Sequence, residues 1–380
     1  MSHNETLPFR LALQGQETRQ PDEHGGDIAS HPGVRLDFSV NVNPLGVPDG
    51  VLRALVSGPD LDYPSLDLRT DPDSSNSILS RAIASYPDPQ CRELRRTLAG
   101  IHGVGMAQIL CGNGASDLIY RLLDTRRPRR VLVMAPTFIE YERAARVCGA
   151  EVLHHRLDPP FFDLTETVLN AVNEDIDMVF CCQPNNPTGR LVAPGLLTRL
   201  IERTRDTHTL LVMDECFLPF SEAPSSVGSD PHVLVLRAFT KTHGLAGLRL
   251  GYAVCSDESL IASMADHGPR WNVSALAQIA GVAALTDMGW EDNTRTFVRR
   301  EREWLIEALT HLGLSVVPSH ANFLLIKSDI DLFGLLLERG ILIRSCANFV
   351  GLDQTYFRIC IKQHTDNVQL ITALEEVLHG

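Results

Sequence analysis

The chain lacks any apolar run approaching the about 20 residues that a membrane-spanning helix needs. Its opening stretch, MSHNETLPFRLALQGQETRQPDEHGG, has neither a basic start nor a sustained apolar segment, so no secretory leader is expected and the expected location is cytoplasmic. Cysteines at metal-ligand spacing are also missing, and no metal site is expected. The nine cysteines are odd in number and scattered, with Cys181 and Cys182 side by side in an apolar run, which excludes a disulfide framework and points to reduced thiols in the core. Positive charge is scarce: 34 basic residues face 47 acidic ones, for a net charge of −13. That balance excludes a general nucleic-acid or anionic-membrane binder, and it means that any basic residues that matter are few and specifically placed.

At 380 residues, 44% of them hydrophobic and 21% charged, the chain is long enough for two or more packed subdomains. Residues 1–35 are polar and read as an extended arm; 57–78, rich in Pro, Ser and Asp, read as a second loop-like stretch. From about residue 90, short β-branched runs at 129–136, 178–184, 209–215, 232–239 and 251–257 read as strands. Amphipathic stretches at 116–125 and 194–207 read as helices between them. Fully apolar strands alternating with helices predict an α/β fold with a mostly parallel sheet covered on both faces. After about residue 290 a charged helix (295–313), three strands (LSVVPS, ANFLLIKS, YFRICIK) and a closing helix near 365–378 predict a smaller α+β unit. The expected division is an arm and substrate-contacting segment at 1–50, a large cofactor-binding domain at 51–285 and a small domain at 286–380.

Ligands of α/β sheets sit beyond the carboxyl ends of strands, and four features fall at such ends. In CGNGASDLI (111–119), Gly114, Ala115 and Ser116 open a helix whose free N–H groups attract a phosphate, although Gly-Asn-Gly is also an ordinary turn. QPNNPTG (183–189) is a tight turn from which Asn186 can be aimed at a ring oxygen; a plain loop is the other reading. Asp214, closing an apolar strand, needs a partner: a protonated ring nitrogen, a helix cap or an ion pair. RAFTKTHGLAGLRLGY (237–252) puts Lys241 after a strand, where its amine can form an imine with a carbonyl cofactor, and Arg249 after it, a fork for a phosphate. Singly each feature is weak. Together they supply the partners of the phosphate, phenolic oxygen, pyridine nitrogen and aldehyde of pyridoxal-5'-phosphate (PLP).

These motifs resemble fold-type I PLP enzymes of the class I/II aminotransferase superfamily over roughly residues 24–362. The resemblance implies that Lys241 is the Schiff-base lysine and Asp214 the pyridine partner, the two being catalytic. It implies Asn186 for the phenolic oxygen, Gly114, Ala115, Ser116, Thr240 and Arg249 for the phosphate, and Phe138 for stacking on the ring. Tyr86 matches a tyrosine that reaches the cofactor phosphate of a neighbouring subunit, which implies a homodimer. Within the superfamily, HGGDI (24–28), DFSVNVNPLGVP (37–48) and ILIRSCANFVGLD (341–353) with YFR (356–358) are similar to threonine-phosphate decarboxylase of cobalamin biosynthesis. His24, Gly25, Asn41, Asn186, Arg344 and Arg358 then become substrate residues, the two arginines holding phosphate and carboxylate. Phe217 stands where aminotransferases usually carry a tyrosine, and Ala238 where many relatives carry a hydroxyl. The expected activity is decarboxylation of O-phospho-L-threonine or O-phosphoserine. Histidinol-phosphate transamination is the competing expectation, and a non-catalytic PLP-binding regulator a remote one.

Overall fold

The computed structural model describes residues 25–57 and 78–379. His24 and nearly all of the polar 57–78 stretch therefore lie outside the described residues. The first strand is β1 (Leu36–Asp37). It is followed by β2 (Ile109–Gly112), β3 (Arg130–Ala135), β4 (Glu151–Arg156), β5 (Met178–Cys182), β6 (Leu210–Asp214), β7 (Val233–Ala238) and β8 (Gly251–Cys255). The C-terminal part adds β9 (Ser315–Val317), β10 (Phe323–Lys327), β11 (Ile341–Leu342), β12 (Arg344–Ser345) and β13 (Tyr356–Cys360).

Seven strands form one sheet in the order β2-β8-β7-β6-β5-β3-β4. From β4 across to β7 neighbours pair parallel, and β8 alone runs against the rest, antiparallel to both β7 and β2. The sheet is thus mostly parallel, as the apolar runs predict. β5 (MVFCC) and β6 (LLVMD) are buried at every position, because helices cover both faces of the central strands. β8 reverses because segment 239–250 carries only one helical turn and one 3-10 turn, too little for a crossover, so the chain re-enters the sheet at the end where it left.

Two strands of this sheet escaped the sequence pattern. β4 (EVLHHR) is an edge strand with no fully buried residue, so its polar composition hides it. β2 is short and ends in the glycines of the helix start. The helix Ala275–Thr286 (ALAQIAGVAALT) is buried on nearly every side, and a Cβ at Gly281 would lie 2.6 Å from Leu250 Cδ2, so the glycine admits that close packing.

The second sheet, β12-β13-β10-β9, is antiparallel and packs with the helices Trp290–His311 and His364–His379. β1 pairs with β11, tying the segment after the N-terminal arm to this unit. Their shared core includes Phe38, Phe323 and Phe357, and it also takes in Cys216 and Phe217, just past the end of β6. The second unit therefore packs against the strand ends of the first. All nine cysteines are unbridged and all but Cys148 are buried. Among the described residues no helix is long and apolar enough to cross a membrane, and no cluster of His, Cys, Asp and Glu suits a metal ion.

Candidate functional site

The reversal of β8 brings the ends of β2 and β7 to one rim, with Gly112 and Ala238 both opposite Gly251. A cavity of about 500 Å³ opens there, between this rim and the second sheet. Gly25, Asn41, Gly114, Ala115, Ser116, Phe138, Asn186, Asp214, Thr240, Lys241, Arg249, Arg344 and Arg358 all line it. Sequence reasoning drew these residues from distant parts of the chain, and the fold brings them to one place.

Lys241 lies in the single helical turn Phe239–Thr242 that follows β7. Burial, then the guanidinium charge of Arg358, push its ammonium below the usual lysine range, which favours the free amine that imine formation requires. Its Nζ stands 5.6 Å from the centre of the Phe217 ring. The chain has three lysines in all, and neither Lys327 nor Lys362 reaches the cavity.

Asp214 closes β6 with its carboxylate buried. Oδ1 accepts from the Cys216 N–H at 3.0 Å, and Oδ2 accepts from the Tyr141 hydroxyl at 2.5 Å. Burial, then the Asp214 charge, push the Tyr141 phenol up, so Tyr141 remains a donor. Tyr141 stacks on Phe180 at 4.8 Å and meets Phe138 edge-on at 5.5 Å. Sequence reasoning missed Tyr141. It lies one helical turn beyond Phe138 in APTFIEY, a spacing that puts both on one helix face, but nothing local links it to a carboxylate 73 positions away. Tyr141→Phe should remove a bond worth about 1.5–3 kcal/mol to a charged acceptor, weakening PLP binding by roughly tenfold or more. Titrating the apoenzyme with PLP and following the pH profile of cofactor absorbance checks this, and an unchanged profile and affinity contradict a role through Asp214.

The helix Ala115–Arg126 starts from Gly114 at φ +82°, a conformation that favours glycine. A Cβ there would sit 3.1 Å from Arg249 Nη2, so the missing side chain leaves room for the guanidinium beside the helix start. Free N–H groups, Ser116 and a guanidinium thus converge on one point, which suits a phosphate. Buried Thr240 adds a hydroxyl to the lining, while Ala238 adds none.

On the opposite wall, β12 and β13 place Arg344 and Arg358 directly across from each other. Like charges in that register repel and carry a cost unless an anion joins them. Arg358 is buried; Nη1 donates to Asn186 Oδ1 at 2.6 Å and Nη2 to the Ser39 carbonyl at 2.7 Å, while Nε has no partner. Burial pushes its guanidinium down to about 10. Arg344 Nη2 donates to Asn348 Oδ1 at 2.9 Å. Because arginine only donates, Asn186 must turn its oxygen to Arg358, which leaves its NH2 donor for the cavity. Buried Asn41 keeps an unpartnered Oδ1 there.

Gly25 joins the cavity because it has no side chain: a Cβ would lie 2.3 Å from the Ser39 carbonyl oxygen. Gly26 N–H donates to Ser39 Oγ at 2.8 Å and pins the arm in place. Tyr86 is not brought to the cavity; it is 78% exposed and packs on Trp271 at 5.2 Å. The position of His24 lies outside the described residues.

A buried carboxylate, an amide donor, an amine of lowered pKa and a glycine-arginine cradle on one cavity match the donor set of PLP. The comparisons agree with that geometry. Residues 36–376 match the family described as aminotransferase class I and II. The threonine-phosphate decarboxylase of Salmonella typhimurium is 38% identical, over 94% of this chain and 97% of its own length. A histidinol-phosphate aminotransferase from a Geobacillus species is 35% identical, over 98% of each chain. Among solved structures, the L-threonine-O-3-phosphate decarboxylase of Porphyromonas gingivalis superposes with a TM-score of 0.76 at 27% identity, over 91% of this chain and 100% of its own. This chain belongs to the class I and II aminotransferase family, an enzyme of fold type I with PLP as its cofactor.

Proposed function

We propose that the enzyme decarboxylates a phosphorylated amino acid, O-phospho-L-threonine first among candidates, releasing CO2 and 1-aminopropan-2-ol phosphate. The observation that carries this reading is the cross-strand pair Arg344 and Arg358 on the same cavity as Lys241. A substrate with both phosphate and carboxylate supplies two anions to two guanidinium groups. Phe217 supports it: in place of a hydroxyl it offers only a ring face, 5.6 Å from Lys241 Nζ. The similarity to the Salmonella enzyme supports it too. The similarity to histidinol-phosphate aminotransferases is what favours transamination as the second reading.

PLP, when bound, supplies a carbonyl for the substrate amine and a ring that takes up the electrons of a bond broken at the adjacent carbon. In this reading Asp214, steadied by Tyr141, is the partner of the pyridine nitrogen, and Asn186 donates to the phenolic oxygen. Arg249, Ser116, Thr240 and the Gly114–Ala115 turn hold the cofactor phosphate, and Phe138 covers the ring. Arg358 holds the substrate carboxylate, Arg344 the substrate phosphate, and Asn41, with Gly25, closes the substrate side. By fixing the carboxylate, Arg358 would determine which bond at the substrate carbon is broken, with bound PLP supplying the acceptor for its electrons. Lys241 then returns a proton to the carbon that CO2 has left. The product is a building block for the cobalamin nucleotide loop.

Exposed Tyr86 and Trp271, with exposed Leu52, Val56, Leu79 and Ile83 on the nearby helices Asp49–Ser57 and Ile78–Ala84, support a homodimer in which Tyr86 serves the partner's cavity. The reaction is tested by incubating the PLP-loaded enzyme with O-phospho-L-threonine and no 2-oxo acid. One amine product per substrate is expected; a requirement for 2-oxoglutarate contradicts the reading. O-phosphoserine run alongside reports on the substrate methyl, worth about 1–3 kcal/mol to a fitted pocket.

A further inference from the structure

A second cleft, of about 790 Å³, lies among Asp163, the turn at Arg190, the loop 220–224, the helix Trp290–His311 and His320, and it shares no lining residue with the first. In a chain of net charge −13 its lining carries four arginines. Three have carboxylate partners: Arg190 with Asp163 at 2.7 Å, Arg299 with Glu222 at 3.0 Å and Arg295 with Asp292 at 2.7 Å. Arg302 has none among the described residues. It is only 9% exposed, and the one hydrogen bond it makes runs from Nη1 to the Ala321 carbonyl at 2.9 Å. Burial and the nearby charge of Arg299 disfavour this guanidinium, and only the neighbouring Glu303 offsets them through space, so an anion in the cleft would complete it. Burial, then the charges of Arg302 and Arg190, push His320 below the usual imidazole range, in keeping with a positive field there. Leu164, Val192, Ala193 and Phe220 give the cleft an apolar wall.

We propose that this cleft is a second binding site, for a small organic anion carrying phosphate or carboxylate on an apolar body. The anion docks against Arg302, with the spare donors of Arg299 and Arg190 around it. Occupancy reaches the first cavity through a short path. The Asn185 N–H donates to the Arg190 carbonyl at 2.8 Å, the His320 N–H donates to the Gly189 carbonyl at 2.8 Å, and Asn186 in the same turn meets Arg358. A Cβ at Gly189 would lie 2.1 Å from Ser319 Oγ, so the turn rests directly on the segment that leads to Ala321. An anion bridging Arg190 and Arg302 clamps both sides of that contact.

The site does not depend on which reaction the enzyme catalyses. Isothermal titration of the PLP-loaded enzyme with ADP in one arm and citrate in the other separates phosphate from carboxylate recognition. At least one probe is expected to bind, and Arg302→Gln to weaken it by about tenfold or more with the cofactor absorbance intact. Arg344→Gln, in the first cavity, is expected to leave that binding unchanged. If Arg302→Gln does not fold, Arg299→Gln, at a half-exposed position, gives the same readout. Binding by neither probe, equal affinity in the variants, or a loss confined to Arg344→Gln would overturn the proposal.

Discussion

Lys241→Ala abolishes the visible absorbance of lysine-bound PLP and lowers turnover by about 10³-fold or more, while the protein stays folded. Loss on that scale is expected when a group that both anchors the cofactor and moves a proton is removed. Only two other lysines exist, and Lys327 and Lys362 lie over the Tyr356 and Phe38 rings, outside the cavity. No other lysine amine can therefore take over. The fold tolerates the change because the Lys241 side chain faces open volume. Its pKa gives a second readout in the cofactor-free protein. The folded ammonium titrates below the ordinary value of 10.5, so between the two the unfolded chain binds more protons. Stability then rises with pH through that window, and the variant loses that slope. Absorbance spectra and denaturant midpoints across alkaline pH measure both effects. A persistent band would contradict the assignment.

Arg358→Gln is the second large effect. The substitution removes a buried cation that binds Asn186 and the Ser39 carbonyl and faces Arg344 across the strands. In the proposed reading the substrate carboxylate then enters a cavity that has lost its buried guanidinium. Breaking one side of a buried charge pair costs about 3–5 kcal/mol, so kcat/KM for O-phospho-L-threonine should fall roughly 10²- to 10³-fold. The Asn186 amide also loses the partner that sets its orientation, so PLP affinity should weaken with it. Steady-state kinetics and PLP titration separate the two effects. Unchanged kcat/KM would remove Arg358 from the substrate site.

Much of this was legible in the sequence because the physics was local. β3, β5, β6 and β7 show as short apolar runs since a parallel sheet buries both faces of its central strands. Lys241, Asp214 and Asn186 stand out because each closes or follows such a run, and the ends of parallel strands share one rim. Gly114 shows instead through the glycines that open its helix. What was not legible depended on partners far along the chain. β4 is a polar edge strand recognisable only by its pairing with β3. Tyr141 gains its role from Asp214, and Gly25 shows why it must be glycine only against Ser39. The resemblance names Arg344 and Arg358 together as substrate arginines, but only the register of β12 and β13 sets them face to face. The second cleft has no motif at all, because its arginines come from a turn and from one face of a long helix.

The central claim is that the carbon–carboxylate bond of a phosphorylated amino acid is the one broken. It is tested most directly with O-phospho-L-threonine labelled with 13C in the carboxyl group, in D2O, without any 2-oxo acid. The account predicts one labelled CO2 per substrate consumed, and an amine product carrying a single carbon-bound deuterium where the carboxylate had been. Retained label, with a 2-oxo acid product formed only when an amino acceptor is added, would contradict it.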